Sequence, residues 1–254
     1  MFRRSGIGEE GVPGRRSKAY SAQGASVRAI KGGHGLHLVG TVRAAAERGA
    51  VIDGEMLRLQ GRDLRGQLRR GMESNLIVFL VDASGSMAAR DRLESVTGAV
   101  LSMLQDAYQR RDKVAVISVR GAQPELVLPP TGSIDVAVRR LEGLKTGGRT
   151  PLGEGLMAAH ELILREYRKE PGRRALLVVL SDGRATGAAG IEGARKAAGI
   201  IAQRGLAGSV VIDAEQGKRI KLGLAKELAI QLGGICVQLE ALNADALSEV
   251  VAAV

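Results

Sequence analysis

Five oxygen-bearing side chains in this chain have the types and spacing to hold a hard cation. Asp82, Ser84 and Ser86 form an Asp-x-Ser-x-Ser turn, with Gly85 between the serines. The turn follows the apolar run Leu76 to Val81, which reads as a buried strand. Thr150 lies in Gly-Gly-Arg-Thr-Pro-Leu, and Asp182 ends a second apolar run, Leu176 to Leu180, as Ser-Asp-Gly. Carboxylate and hydroxyl oxygens suit Mg²⁺ or Mn²⁺, and a set with few carboxylates leaves part of the metal's shell for another donor. Asp and Ser are also ordinary turn formers and helix caps. Three separate segments supplying oxygens favour a metal site over coincidence.

Other chemistries fit less well. A phosphatase with an aspartate nucleophile at a strand end needs a second acid two residues on, and that position is Ser84. Gly143 to Thr150 approaches a phosphate-binding loop, but Arg149 replaces its lysine and the loop follows a helix-like segment. His34, His37 and His160 form no ligand cluster, and His160 reads as a surface or packing residue. Arg184, beside Asp182, is either a guide for an acidic partner or an ordinary exposed arginine.

The elements that position these residues alternate between the two regular types. Strands are predicted at 75–82, 113–119, 124–128, 174–181, 208–213 and 235–239. Helices are predicted near 89–108, 133–142, 152–168, 188–204, 221–231 and 243–253. Strands separated by helices imply a mainly parallel sheet covered on both faces. The short link Arg120 to Gln123 predicts a hairpin, with 124–128 as an antiparallel edge strand. Ligands of open α/β sheets bind beyond the carboxyl ends of the strands, where Asp82 and Asp182 fall. Pro151 sits at a favoured first helical position after Thr150.

Composition bounds the rest. Of 254 residues, 45% are apolar but only 2% are aromatic and none is Trp, so the core is built from Leu, Val, Ile and Ala. The lack of aromatic platforms argues against nucleic acid as a partner. Cys236, the single cysteine, reads as a buried structural thiol and fits a reducing compartment. No secretory signal and no membrane span are expected, which points to the cytoplasm. Residues 1–74 hold 14 Lys/Arg against 7 Asp/Glu, whereas residues 75–254 hold 23 against 20. Two units are therefore expected: a basic, Gly/Arg-rich, partly flexible extension over 1–74 and an α/β domain over 75–254. Within the extension, residues 1–35 are expected to be mobile or ordered by a partner. A short strand is predicted at Leu36 to Val39, and a helix capped by Thr41 over Val42 to Glu47.

Asp82, Ser84, Ser86, Thr150 and Asp182 together resemble the metal-ion-dependent adhesion site of the von Willebrand factor A, or integrin I-like, domain. The resemblance implies a Rossmann-like three-layer α/β fold with a six-stranded sheet. It also implies a Mg²⁺ ion whose open position takes a Glu or Asp from a partner. Further stretches narrow it: Gly14-Arg15-Arg16-Ser17, Thr41 to Ala46, Asp63-Leu64-Arg65, Leu128-Pro129-Pro130-Thr131, Ser181 to Ala185 and Leu222 to Ala229. These look like the D subunit of magnesium chelatase and its cobalt chelatase relatives. The family's D subunits couple a AAA+ ATPase ring to a large tetrapyrrole-binding subunit during ATP-dependent insertion of Mg²⁺ or Co²⁺. The resemblance thus implies a non-catalytic subunit, with those two proteins as partners. The family's AAA-like domain and acidic linker have no counterpart in these residues, so a fragment and a self-standing subunit both remain open. Two alternatives also remain: a regulatory A domain for another AAA+ ATPase, and a metal-dependent phosphatase.

Overall fold

The computed structural model describes residues 13–53, 56–84, 112–141, 147–171, 173–214 and 223–238. Strand β5 (Asn75–Asp82) is the centre of the molecule, and its sequence explains why. Asn-Leu-Ile-Val-Phe-Leu-Val is buried at every position, with apolar side chains on both faces. β6 (Lys113–Arg120) and β8 (Arg174–Ser181) pair with it in parallel, one on each side. β9 (Ala207–Asp213) and β10 (Ile235–Gln238) extend the β8 side in parallel, and β7 (Gln123–Thr131) closes the other edge antiparallel to β6. The six-stranded order is β10-β9-β8-β5-β6-β7, with one antiparallel pair, as the hairpin link predicts.

Five α-helices lie among the described residues: α1 (Leu38–Glu47), α2 (Ile134–Leu141), α3 (Leu152–Lys169), α4 (Gly190–Arg204) and α5 (Leu224–Gln231). One face of the sheet, with Val78, Leu80, Ile117 and Val179, packs on Leu156, Ile163, Ala198 and Leu228 of α3, α4 and α5. The other, with Ile77, Phe79, Val81 and Val116, packs on Ala137 and Leu141 of α2. Each fully buried Leu, Ile or Phe contributes about 1.5–3 kcal/mol. The three-layer α/β prediction holds. The predicted helices near 89–108 and 243–253 lie outside the described residues. Among the described residues no helix is long and apolar enough to cross a membrane.

At the amino end of the sheet, carboxylates meet cations. Lys113 Nζ lies 2.8 Å from Glu170 and 3.5 Å from Glu166, Lys169 lies 2.6 Å from Glu166, and Arg173 lies 2.7 Å from Glu170. Arg173 also donates to Ser74 Oγ at 2.8 Å, which ties down the start of β5. The hydrogen bond from Arg173 holds the Glu170 carboxyl down at about 2. Burial alone would raise Glu166, but Lys169 and Lys113 outweigh it and keep its carboxyl below the ordinary range.

Three expectations for the preceding segment change. Pro13–Ile30 is a strand, β1, rather than an unstructured arm. It pairs antiparallel with β4 (Gly66–Glu73), and three register shifts interrupt the ladder. Backbone hydrogen bonding across that ribbon supplies the order that its apolar-poor composition does not predict. Leu36 to Val39 is not a strand either. His37 caps α1, its Nδ1 accepting from Gly40 N at 2.9 Å, so the helix starts at Leu38. Thr41, the cap expected from sequence, instead accepts from Arg65 N at 3.0 Å through its hydroxyl. Two short strands, β2 (Ile52–Asp53) and β3 (Met56–Leu57), follow α1. Arg48 clamps Asp63 with hydrogen bonds of 2.8 Å to each carboxylate oxygen, and that guanidinium holds the Asp63 carboxyl down at about 2.

Candidate metal centre

Parallel pairing brings the carboxyl ends of β5 and β8 together. The register sets Val81 against Leu180, which places Asp82 level with Ser181. Three groups converge on the Asp82 carboxylate. Ser84 N donates to Oδ1 at 3.0 Å, closing the turn after the strand. Ser181 Oγ donates to Oδ2 at 3.2 Å, and Thr150 Oγ1 reaches Oδ1 at 3.4 Å. Ala83 N bonds Val119 O at 3.2 Å, so the start of the turn stays anchored to β6.

Thr150 arrives on a loop whose backbone is tied at several points. Its N–H donates to Thr186 Oγ1 at 2.8 Å, and its carbonyl accepts from Thr186 N at 3.1 Å and Gly187 N at 3.0 Å. Gly147 N bonds Ala83 O at 2.8 Å, which joins this loop to the Asp82 turn. Pro151 occupies the capping position rather than the first helical one, and α3 begins at Leu152. Thr150 is buried, with 3% of its surface exposed.

Asp182 lies just past β8. Its Oδ1 accepts from Arg184 N at 3.1 Å, and Arg184 Nε stands 3.4 Å from Oδ2. The turn depends on Gly183, which has φ +79° and sits against α5. A Cβ there would lie 2.5 Å from Ala225 N and from the Leu224 carbonyl carbon, so only glycine fits. Gly183 N in turn donates to Ser181 Oγ at 3.1 Å.

The electrostatics of Asp82 follow from these contacts. Burial pushes its carboxyl up, and the negative charge of Asp182 adds to that. Hydrogen bonds from Ser84 and Ser181 only partly oppose the rise. Among the described residues, the partners that reach the Asp82 carboxylate are two hydroxyls and an amide, with no Lys or Arg. Two carboxylates and several hydroxyls form a hard oxygen donor set, which fits Mg²⁺ or Mn²⁺ and not a soft metal. Among the described residues no group of three or more His, Cys, Asp and Glu could hold a metal, so His/Cys coordination has no support there.

Of the residues singled out from sequence, the structure links Asp82, Ser84 and Thr150 directly and sets Asp182 close enough for its charge to act on Asp82. Ser86 lies outside the described residues. His160 is buried on α3, a packing rather than a surface residue. Sequence reading missed Ser181 and Thr186. Ser181 had a signal, since it directly precedes Asp182 at the strand end. Thr186 had none, because its role rests on a loop contact 36 residues from Thr150.

Residues 77–184 match the family model described as von Willebrand factor type A domain. The chain is 50% identical to "Uncharacterized protein Rv2850c" of Mycobacterium tuberculosis over 95% of its own length and 38% of that protein's. It is 34% identical to "Uncharacterized protein MJ0910" of Methanocaldococcus jannaschii, over 65% of this chain and 95% of that one. With the magnesium-chelatase 67 kDa subunit of Chlorobaculum tepidum it shares 38% identity over 68% of this chain, which spans 30% of that subunit. Among solved structures, a von Willebrand factor type A protein from Catenulispora acidiphila superimposes with a TM-score of 0.52 at 19% identity, covering 71% of this chain and 41% of that one. BatB from Bacteroides thetaiotaomicron gives 0.53 at 23%, covering 71% and 98%. These two share the fold.

Proposed function

The chain belongs to the von Willebrand factor type A domain family, and from that membership we propose that it is a non-catalytic, cation-bearing interaction subunit of a chelatase-type complex. One observation carries the reading: a half-buried carboxylate, Asp82, is gathered by the hydroxyls of Thr150 and Ser181 and the amide of Ser84, and by no cationic side chain among the described residues. Asp82, Ser84, Ser86, Thr150 and Asp182 would hold Mg²⁺, or Mn²⁺, at this edge. When bound, the ion supplies a Lewis-acidic position able to take a carboxylate from a partner. The chain's own residues prepare that edge. Ser181 and the Ser84 amide orient Asp82, Thr186 fixes Thr150, and Gly183 lets Asp182 approach from β8. Arg184 beside Asp182 favours the approach of an acidic partner.

The similarity to magnesium-chelatase subunits supports a place in a complex that inserts Mg²⁺ or Co²⁺ into a tetrapyrrole in the cytoplasm. The partners would be a AAA+ ATPase and a large tetrapyrrole-binding subunit. The inserted metal is cargo and is distinct from the ion at Asp82. A second reading, regulation of a different AAA+ ATPase, draws on the alignment with MJ0910. That alignment covers 95% of the relative, so the same unit makes up nearly all of another protein.

The test is affinity capture from native lysate with wild type and Asp82→Ala, with and without Mg²⁺, read by mass spectrometry. Recovery of a AAA+ ATPase and a large tetrapyrrole-binding subunit, dependent on both Mg²⁺ and Asp82, is expected. Recovery of another ATPase favours the second reading. Capture unaffected by Mg²⁺ and by Asp82→Ala overturns both.

A further inference from the structure

Helix α1 is apolar on both sides. Its inner face, Thr41, Ala44 and Ala45, is buried, and Gly40 has no room for a side chain beside Ala29. Its outer face should then be polar. Instead Leu38, Val39, Val42 and Ala46 lie within about 100° of one another around the helix and face solvent. Leu38 is 68% and Val39 75% exposed. The helix's two charged residues, Arg43 and Glu47, pair with each other at 2.9 Å. A helix with a stripe of apolar residues on its solvent side as well as on its buried side is one that something covers.

The surroundings say what covers it. Residues 25–70 hold nine Lys/Arg against four Asp/Glu. Glu47 pairs with Arg43 and Asp63 with Arg48. Arg28, Lys31, Arg62 and Arg70 are exposed in the same segment. A second copy of this chain would bring like charge against like charge. Residues 25–70 contain no Phe, Trp or Tyr, so α1 and its flank carry no aromatic cluster of the kind a lipid interface or stacked bases use. We propose that the outer face of α1 and its basic flank dock an acidic amphipathic segment of a partner protein. Its apolar side chains would cover Leu38, Val39 and Val42, and its Asp/Glu would face the arginines. This contact is separate from the Asp82 edge and does not need a metal.

The test selects binders to the full chain from a random library of displayed peptides of about 16 residues, in EDTA and on an Asp82→Ala background, which silences the cation site. Expected is enrichment of Asp/Glu together with Leu/Ile at helical spacing. The double variant Leu38→Asp, Val39→Asp should weaken the selected peptides by about tenfold or more, with far-ultraviolet circular dichroism unchanged because both side chains are exposed. Arg28→Glu with Arg62→Glu should weaken them too, and so should salt near 1 M, where the screening length is about 3 Å. Selected peptides without the acidic-apolar pattern, or with equal affinity for the α1 double variant, overturn the proposal. So does tighter binding to phosphatidylserine vesicles or duplex DNA than to the selected peptides.

Discussion

The two ends of the central sheet treat buried and half-buried carboxylates in opposite ways. At the amino end, Glu166 and Glu170 stand against Lys113, Lys169 and Arg173, and their carboxyls are held below the ordinary range. At the carboxyl end, Asp82 meets hydroxyls and an amide, and burial drives its carboxyl up. Within one fold, then, the positive charge that stabilises an acid is built into the chain at one end, and at the other, on the function proposed above, it would come from an outside ion. Stability and recognition are divided between the ends of the same strands.

The comparison breaks first if Asp82 turns out to support the fold. In EDTA, Asp82→Asn should melt at or above the wild-type temperature, because it removes a half-buried charge that has no cationic partner among the described residues. Mg²⁺ at about a hundred times its Kd should stabilise the wild type by about 2.7 kcal/mol and leave Asp82→Asn unmoved. Thermal melts with and without Mg²⁺ read both. Gly183→Ala comes next. The added Cβ would press on the start of α5 at a left-handed φ, and a loss of about 1–3 kcal/mol is expected in urea denaturation. Ser181→Ala should cut Mg²⁺ affinity by about tenfold, as loss of an outer partner of a metal ligand does, measured by calorimetric titration.

Smaller effects sharpen the contrast at the amino end. Glu170→Gln should cost about 1 kcal/mol, since the pair is partly solvated, and leave Mg²⁺ affinity unchanged. The pH trends should have opposite signs. Glu170 is depressed from 4.5 to about 2, so its stabilising contribution is complete above pH 4.5 and fades as pH falls toward 2. The melting difference between wild type and Glu170→Gln should shrink over that window. Asp82 is raised, so its cost in the metal-free protein is present at neutral pH and is relieved as pH falls through its folded value. The gain from Asp82→Asn should therefore shrink on acidification. A parallel pH titration of both variants checks the two signs.

The α/β domain was legible because its signals are local. Unbroken apolar strands, helical runs between them and a short hairpin link led to the mainly parallel sheet and to the antiparallel edge strand β7, whereas the strand order rests on long-range pairing that no local signal carries. Asp82, Ser84, Thr150 and Asp182 were legible because they sit at strand or helix ends, where chemistry collects in this kind of sheet. What sequence did not reveal depends on non-local contacts. β1 is ordered by β4, far along the chain, and His37 rather than Thr41 caps α1 because Thr41 is drawn to Arg65. Thr186 reaches Thr150 only because two loops fold against each other.

The most direct test is calorimetric titration of Mg²⁺ into the metal-free wild-type chain and into Asp82→Ala and Glu170→Gln. One saturable site in wild type and Glu170→Gln, absent in Asp82→Ala, is the result expected if the carboxyl end of β5 is built around an outside cation. No saturable binding to wild type, or equal binding to Asp82→Ala, would contradict it.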